Sequence, residues 1–386
     1  MNTAKIIIGA NFGDEGKGLM TDYFANQAKE LNKSCLVVCH NGGSQRGHTV
    51  VSPTGVRHVF HHFGSGCFAG ADTYLSSDFI LNPIIFNKEL SELNRKGLVT
   101  ECYVNKNCLV TTPFDMMINQ IVEEYRGDSK HGSCGLGIFE TIVRSNRAGK
   151  YTTILELAGL SVDELIGTLS DDAINYLPNR LKELGVEDIP LDWVKILNNY
   201  NPIIPNFIVD LHDMLENITF VDDSIIDDYD YVIFEGAQGL LLDQNNLAYM
   251  PHLTPSNTGI KNPMRIIGDR KCDIEVCYVS RTYMTRHGAG RFDSECEKSE
   301  INEKMIDLTN VPNPYQDSLR YGILNLYELR ERIRCDFGAF DIKPTVVFTH
   351  WNEHELDGAY LRRVFKYFNS IYISDGMTRN DVNYYN

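Results

Sequence analysis

The sequence predicts an α/β fold, one large domain built on a mostly parallel central sheet with helical insertions, and three observations lead there. The run Lys5-Ile6-Ile7-Ile8-Gly9 reads as a buried strand, ends in a glycine loop and is followed by a helical segment from Gly16 to about Ala28. Strand, glycine loop and helix in succession are the opening unit of such folds. Apolar runs then recur at 34–40, 231–234, 274–279, 345–349 and 370–374 without alternating polar positions. That pattern marks strands covered on both faces. Finally, several of these runs end in glycine or polar turns, where open α/β sheets gather their ligands.

Residues 155–220 are rich in Leu, Asp, Glu and Asn at helical spacing and read as a helical insertion. No internal repeat, low-complexity tract or Pro/Ser linker divides the chain, so residues 1–386 are expected to form a single domain.

Composition narrows the function classes. The chain has 36 Lys+Arg against 52 Asp+Glu, a formal net charge of −16, and 43% hydrophobic residues. A nucleic-acid groove needs a basic stripe to neutralise phosphates, so nucleic acid is not an expected partner. A phosphorylated small molecule remains compatible, because backbone amides and one Lys bind it locally. No apolar run approaches the roughly 18 residues of a membrane span, and the apolar N-terminal stretch is too short for a signal peptide. The ten cysteines form no CxxC pair. Scattered thiols without a signal segment point to a reducing cytoplasm.

The chemistry concentrates in two loops. Gly13-Asp14-Glu15-Gly16-Lys17-Gly18 follows the first strand and reads as a nucleotide-phosphate loop. It departs from the Walker pattern, with Asn11 where a Gly belongs and Gly18 where Ser/Thr would hold Mg²⁺. The glycines still admit phosphates to the backbone, Lys17 supplies a cation at a helix N-terminus, and Asp14 substitutes for the missing metal ligand. The second loop, Gly42-Gly43-Ser44-Gln45-Arg46-Gly47-His48-Thr49, follows the second strand. A carboxylate base in one loop and an imidazole in its neighbour suit a phosphoryl transfer, whose charge must be neutralised as it moves to the leaving oxygen.

Together with these loops, Glu235-Gly236-Ala237-Gln238-Gly239, Thr254-Pro255-Ser256-Asn257, Thr285-Arg286-His287-Gly288-Ala289-Gly290 and Ile373-Ser374-Asp375-Gly376 follow one another in an order that resembles the adenylosuccinate synthetase family. The resemblance implies a carbon–nitrogen ligase that joins L-aspartate to C6 of a 6-oxopurine nucleotide through a 6-phosphoryl intermediate. Asp14 would take the N1 proton, His48 would stabilise the departing diphosphate, and Lys17 would serve the phosphates. Mg²⁺ would be held by Asp14 and the Gly47 carbonyl. The nucleoside triphosphate would lie against Gly13, Glu15, Gly16, Lys17, Gly18, Gly47, His48, Thr49, Asn352 and Gly376. The purine monophosphate would meet Asp14, Gln45 and Gln238, with its 5′-phosphate on Thr254 and on Ser133 or Cys134, helped by Arg144 from the other subunit of a homodimer. Aspartate would meet Arg320, Asn313 and Gln316.

Three departures from the family pattern fall on specificity elements. The family's TKxD motif stands here as Thr349-His350-Trp351-Asn352. A carboxylate there accepts two donors from guanine; an amide, one acceptor and one donor, suits adenine and points to ATP or dATP. Ser44-Gln45 replaces the family's HN at the purine pocket. An arginine-rich run is reduced to Arg320 in Tyr315-Gln316-Asp317-Ser318-Leu319-Arg320. Together they resemble the bacteriophage 2-aminoadenylosuccinate synthetase branch, which acts on dGMP for diaminopurine DNA and would place the protein in a host cytoplasm. The alternatives are ordinary synthesis from IMP and GTP, or a non-catalytic nucleotide-binding homologue. His61-His62 are expected to be structural, and Trp351 either stacks on a purine or caps its strand.

Overall fold

The structure, a computed structural model, describes all residues except 99, 148, 150, 306–317 and 386. Its central sheet contains, in chain order, β1 (Thr3–Gly9), β2 (Cys35–Cys39), β3 (Asp72–Leu75), β4 (Cys102–Asn105), β5 (Thr219–Val221), β6 (Tyr231–Gly239), β7 (Asp273–Arg281), β8 (Thr345–Thr349), β9 (Ile371–Ser374) and β10 (Val382–Tyr384). The spatial order of these ten strands is β10-β9-β8-β7-β1-β6-β2-β3-β4-β5. β10 runs antiparallel to β9, and the other pairings are parallel. Each of the five later apolar runs lies on one of these strands, and the mostly parallel sheet expected from them is what forms.

β1 explains why its sequence is apolar throughout. Side chains alternate across a strand, so Ile6 and Ile8 enter the core on one face while Ile7 enters the core on the other. All three are wholly buried, each contributing about 1.5–3 kcal/mol of apolar burial. On the Ile7 face lies α1 (Lys17–Glu30), through Leu19, Met20, Phe24 and Ala25. The stretch 155–220 is helical up to Glu216, with helices Val162–Asp171, Leu177–Glu183 and Ile203–Glu216 packing into a core around Leu165, Leu177, Phe207 and Leu211, but its last residues, Thr219 and Phe220, belong to β5.

Because β1, β2, β6, β7 and β8 are mutually parallel neighbours, the loops following them emerge at one edge of the sheet. Among the described residues no helix is long and apolar enough to cross a membrane.

Candidate active site

At the end of β1 the chain turns through left-handed conformations at Gly13 (φ 123°), Asp14 (φ 57°) and Gly16 (φ 95°). Gly16 is forced there twice over, because a Cβ would lie 2.8 Å from Thr349 Cγ2. Asp14 has no such freedom, and a non-glycine residue in this region carries strain. Gln238 (φ 57°), at the end of β6, and His350 (φ 58°), just after β8, share the conformation. Three strained polar residues thus stand on adjoining loops of one sheet edge, the kind of place where strain accompanies function.

The two acids of the first loop part company. Glu15 is turned inward, 2% exposed, its Oε1 accepting from the Asn11 backbone N–H and side-chain amide, both at 2.7 Å. Burial pushes its carboxyl up to about 7 despite the opposing Lys17 and Asn11. Asp14 keeps 34% side-chain exposure, with Oδ2 3.3 Å from His287 Nε2. Its carbonyl accepts from Arg281 Nε at 2.5 Å. Asp14 is therefore the carboxylate that a substrate can meet. Lys17 is buried beside it; burial lowers the ammonium's pKa, opposed by Glu15, Asp14 and Glu235 in that order.

His48 begins a hairpin, His48–Val51 with Arg57–Phe60. Its loop adjoins the first one, since a Cβ on Gly18 would sit 3.1 Å from His48 Cβ. The ring Nδ1 lies 2.7 Å from Glu235 Oε1, and Glu235 Oε2 accepts from Arg46 Nη1 and the Ser65 N–H, each at 3.1 Å. Burial alone would raise Glu235, but Arg46, His48 and the hydrogen bonds from His48 and Ser65 outweigh it and hold the carboxyl at about 2. Burial, more than Glu235 can offset, brings His48 down to about 4. At neutral pH an ionised Glu235 therefore accepts the Nδ1–H of a neutral imidazole, leaving Nε2 for a ligand.

A third group forms beside Gly42, where a Cβ would lie 3.4 Å from Gln45 Nε2 and 3.6 Å from Gln238 Oε1. The two amides thus flank one point. Gln45 Oε1 and Gln238 Oε1 are buried without a hydrogen-bond partner. Such acceptors are costly unless a ligand supplies donors.

The other expected residues are placed as follows. Gly47 is exposed, Gly18 is buried at the start of α1, and Thr49 Oγ1 accepts from Arg57 at 3.4 Å. The loop bearing Ser133 and Cys134 packs on the 287–290 loop: a Cβ on Gly132 would lie 2.7 Å from Gly288 Cα, and Ala289 N–H donates to the His131 carbonyl at 3.1 Å. That brings it to the side of the site where His287 meets Asp14. Ser133 Oγ accepts from Asn119 at 2.7 Å, and burial pushes the Cys134 thiol up to about 11. Thr254 is nearly buried, its N–H donating to Leu242 O at 2.9 Å. Trp351 N–H donates to the Ser374 carbonyl at 3.0 Å, which sets the turn carrying exposed Asn352 beside the turn carrying Gly376. The Trp351 ring packs on Tyr385, centroids 5.2 Å apart.

Two expectations change. Arg144, expected to reach into a partner subunit, is 1% exposed and locked inside its own chain. Its Nε and Nη2 meet both oxygens of Asp115 at 2.9 Å, and Nη2 also donates to Val110 O at 2.7 Å. Withdrawing it would strand a buried carboxylate. Arg320 is engaged with Glu295 and with the carbonyls of Gly288 and Gly290, at 3.1 and 2.9 Å. It holds the 287–290 loop, and to grip aspartate it would have to exchange Glu295 for substrate. Asn313 and Gln316 lie outside the described residues.

His61 and His62 are structural: their N–H groups donate to Glu89, and His62 Nε2 accepts from Asn82 N–H at 3.0 Å. Sequence reasoning missed Arg46, Arg281 and His287 as members of the site. An arginine within a glycine loop was the available signal for Arg46. Among the described residues no cluster of three or more His, Cys, Asp or Glu could cage a metal. The hard oxygen donors Asp14 and the Gly47 carbonyl still fit Mg²⁺, which takes few protein ligands and keeps water or phosphate oxygens for the rest.

Comparison with known proteins adds to this geometry. Residues 6–336 match the family model described as adenylosuccinate synthetase. The adenylosuccinate synthetase of Microcystis aeruginosa is 31% identical over 317 residues, 78% of this chain and 64% of that protein. The one from Borrelia recurrentis is 27% identical over 300 residues, 76% of this chain and 65% of that protein. The chain thus spans just under two thirds of the length of these curated relatives. Two solved structures share the fold at low identity. A fully ligated adenylosuccinate synthetase from Plasmodium falciparum aligns over 99% of both chains with TM-score 0.69 and 16% identity. A succinoaminodeoxyadenylate synthetase of cyanophage S-2L, bound to dGMP and dATP as an energy donor, aligns over 100% of this chain and 95% of that one, with TM-score 0.65 and 17% identity.

Proposed function

The chain belongs to the adenylosuccinate synthetase family, and from that premise we propose that it is a carbon–nitrogen ligase joining L-aspartate to C6 of dGMP, driven by ATP or dATP. The observation that carries the reaction type is the pairing, on one sheet edge, of accessible Asp14 with a His48 oriented by Glu235, beside buried Lys17.

The reaction divides in two. Asp14 accepts the N1 proton of the purine, and O6 attacks the γ-phosphorus of the triphosphate, releasing the nucleoside diphosphate. His48 Nε2 faces the charge that builds on the leaving oxygen, and Lys17 neutralises the phosphates. The aspartate amino group then adds at C6 and expels phosphate, for which a bare oxo group would be a poor substitute. Mg²⁺ held by Asp14 and the Gly47 carbonyl would supply charge neutralisation on the phosphates.

The choice of purine rests on Gln45 and Gln238. A guanine base presents N1–H and an exocyclic amino group, whereas hypoxanthine presents N1–H alone. Two buried amide oxygens without partners match the base that brings more donors. The choice of donor rests on Asn352, whose amide pairs with adenine better than with guanine. The cyanophage S-2L protein of this fold, bound to dGMP and dATP as an energy donor, supports that reading. We place the protein in the cytoplasm, a phage host's if phage-encoded, as a homodimer. The alternative, synthesis from IMP with GTP, is favoured by the curated relatives, which bear the ordinary enzyme's name.

Purified protein incubated with aspartate, Mg²⁺ and a purine–donor pair tests the proposal. A new ultraviolet-absorbing succinylated product is expected from dGMP with ATP or dATP.

A further inference from the structure

Arg46 occupies a glycine loop, where an arginine would ordinarily reach into solvent, yet its side chain and that of Glu235 are both 0% exposed. Each donor group is used. Nε donates to His61 O at 3.1 Å, Nη2 to Phe63 O at 2.7 Å, and Nη1 to Glu235 Oε2 at 3.1 Å and Cys39 Sγ at 2.9 Å. The guanidinium also lies 5.7 Å from the centroid of the Phe79 ring. On the far side of Glu235 stands His48 Nδ1, at 2.7 Å.

A carboxylate this deep is stable only with a compensating charge and filled lone pairs. Arg46 supplies that charge, with Nη1 3.1 Å from Glu235 Oε2. With Arg46 in place, Glu235 is anchored from behind by Arg46 and Ser65 N–H, and its forward oxygen fixes His48. We propose that Arg46 is a positioning residue for the ligase reaction: through Glu235 it holds the His48 ring with Nδ1–H buried and Nε2 presented to the phosphates. It touches no substrate. The inference rests on the role of His48 in the proposed function.

The test uses the whole chain. Arg46→Met removes the charge at similar length, Arg46→Lys keeps the charge without the fork, and Glu235→Gln removes the intermediary. With kcat and KM measured for each substrate, Arg46→Met is expected to lose about 10²-fold in kcat, the scale of an imidazole's catalytic contribution. KM for nucleotides and aspartate should stay within about threefold, because binding groups are untouched. Arg46→Lys should recover about tenfold of that loss, since charge compensation is restored. The double variant Arg46→Met/Glu235→Gln should be no slower than the slower single variant, as expected of residues that act through each other. A kcat for Arg46→Met within about threefold of wild type would overturn the inference. So would additive losses in the double variant, or equal losses in kcat and thermal midpoint that Lys does not restore.

Nitrogen-15 NMR of the His48 ring gives a readout apart from turnover. A hydrogen-bonded Nδ1 proton is expected in wild type and should be shifted or lost in Arg46→Met; an unchanged signal would contradict the link. If the wild type ligates nothing while this NMR difference appears, the proposed function fails and the Arg46–Glu235–His48 arrangement stands.

Discussion

The two halves of the site are built differently. Where the phosphates would lie, the loops after β1 and β2 are fixed by buried hydrogen bonds on carboxylates: Asn11 to Glu15 Oε1, and Arg46, Ser65 N–H and His48 to Glu235. Where the bases would be read, the groups are exposed or hold acceptors without partners, as with Asn352, Gln45 and Gln238. A reaction shared across a family demands fixed geometry, and preorganised groups supply it. Substrate choice can change by replacing side chains that little else depends on. In the proposed function, groups held by internal hydrogen bonds would serve catalysis, and groups with open valences would serve specificity.

Breaking the phosphate half should have the largest effect. Asp14→Ala and His48→Ala are each expected to lower kcat by about 10²–10⁴-fold while purine nucleotide binding, followed by calorimetry, persists. Near-normal turnover in either variant would remove its assigned role. Next come the purine-reading amides. Gln238→Leu or Gln45→Leu should weaken discrimination for dGMP over IMP by about 1–3 kcal/mol per lost acceptor, measured as a ratio of kcat/KM values. A smaller change is expected from Asn352→Asp, which offers two acceptors in place of one and should move the donor preference from ATP towards GTP by about tenfold.

Much of this was legible in sequence for a physical reason. Central parallel strands are apolar on both faces, so β1, β2, β6, β7, β8 and β9 declared themselves, while the short strands β3, β4, β5 and β10 did not; glycine loops at strand ends marked the phosphate half. Arg144 was not legible, because an arginine destined for a partner subunit and one locked onto Asp115 look alike until the fold brings position 115 beside position 144. The role of Arg46 was hidden for the same reason: Glu235, its partner, is distant in sequence. The pairing of His287 with Asp14 likewise depends on two loops meeting.

Buried acids sharpen the contrast at the smallest scale, in stability. Glu235 has the Arg46 cation and hydrogen bonds from His48 and Ser65, is held at about 2, and so stays charged. Asp336 receives hydrogen bonds from Tyr278 Oη at 2.8 Å and Ile260 N–H at 3.1 Å, but burial dominates and raises it from 3.8 to about 6. A carboxyl raised by folding stabilises the fold fully below its unfolded pKa of 3.8, and that contribution is lost as pH rises through about 6. Thermal midpoints should therefore fall between those values by an amount that Asp336→Asn abolishes; an identical pH profile for the variant would refute it.

The most direct test is the product matrix of dGMP or IMP with ATP, dATP or GTP, each with L-aspartate and Mg²⁺. Turnover of dGMP with ATP or dATP, and little from IMP with GTP, is the predicted result. Turnover confined to IMP with GTP would contradict the substrate assignment and leave the chain an ordinary adenylosuccinate synthetase.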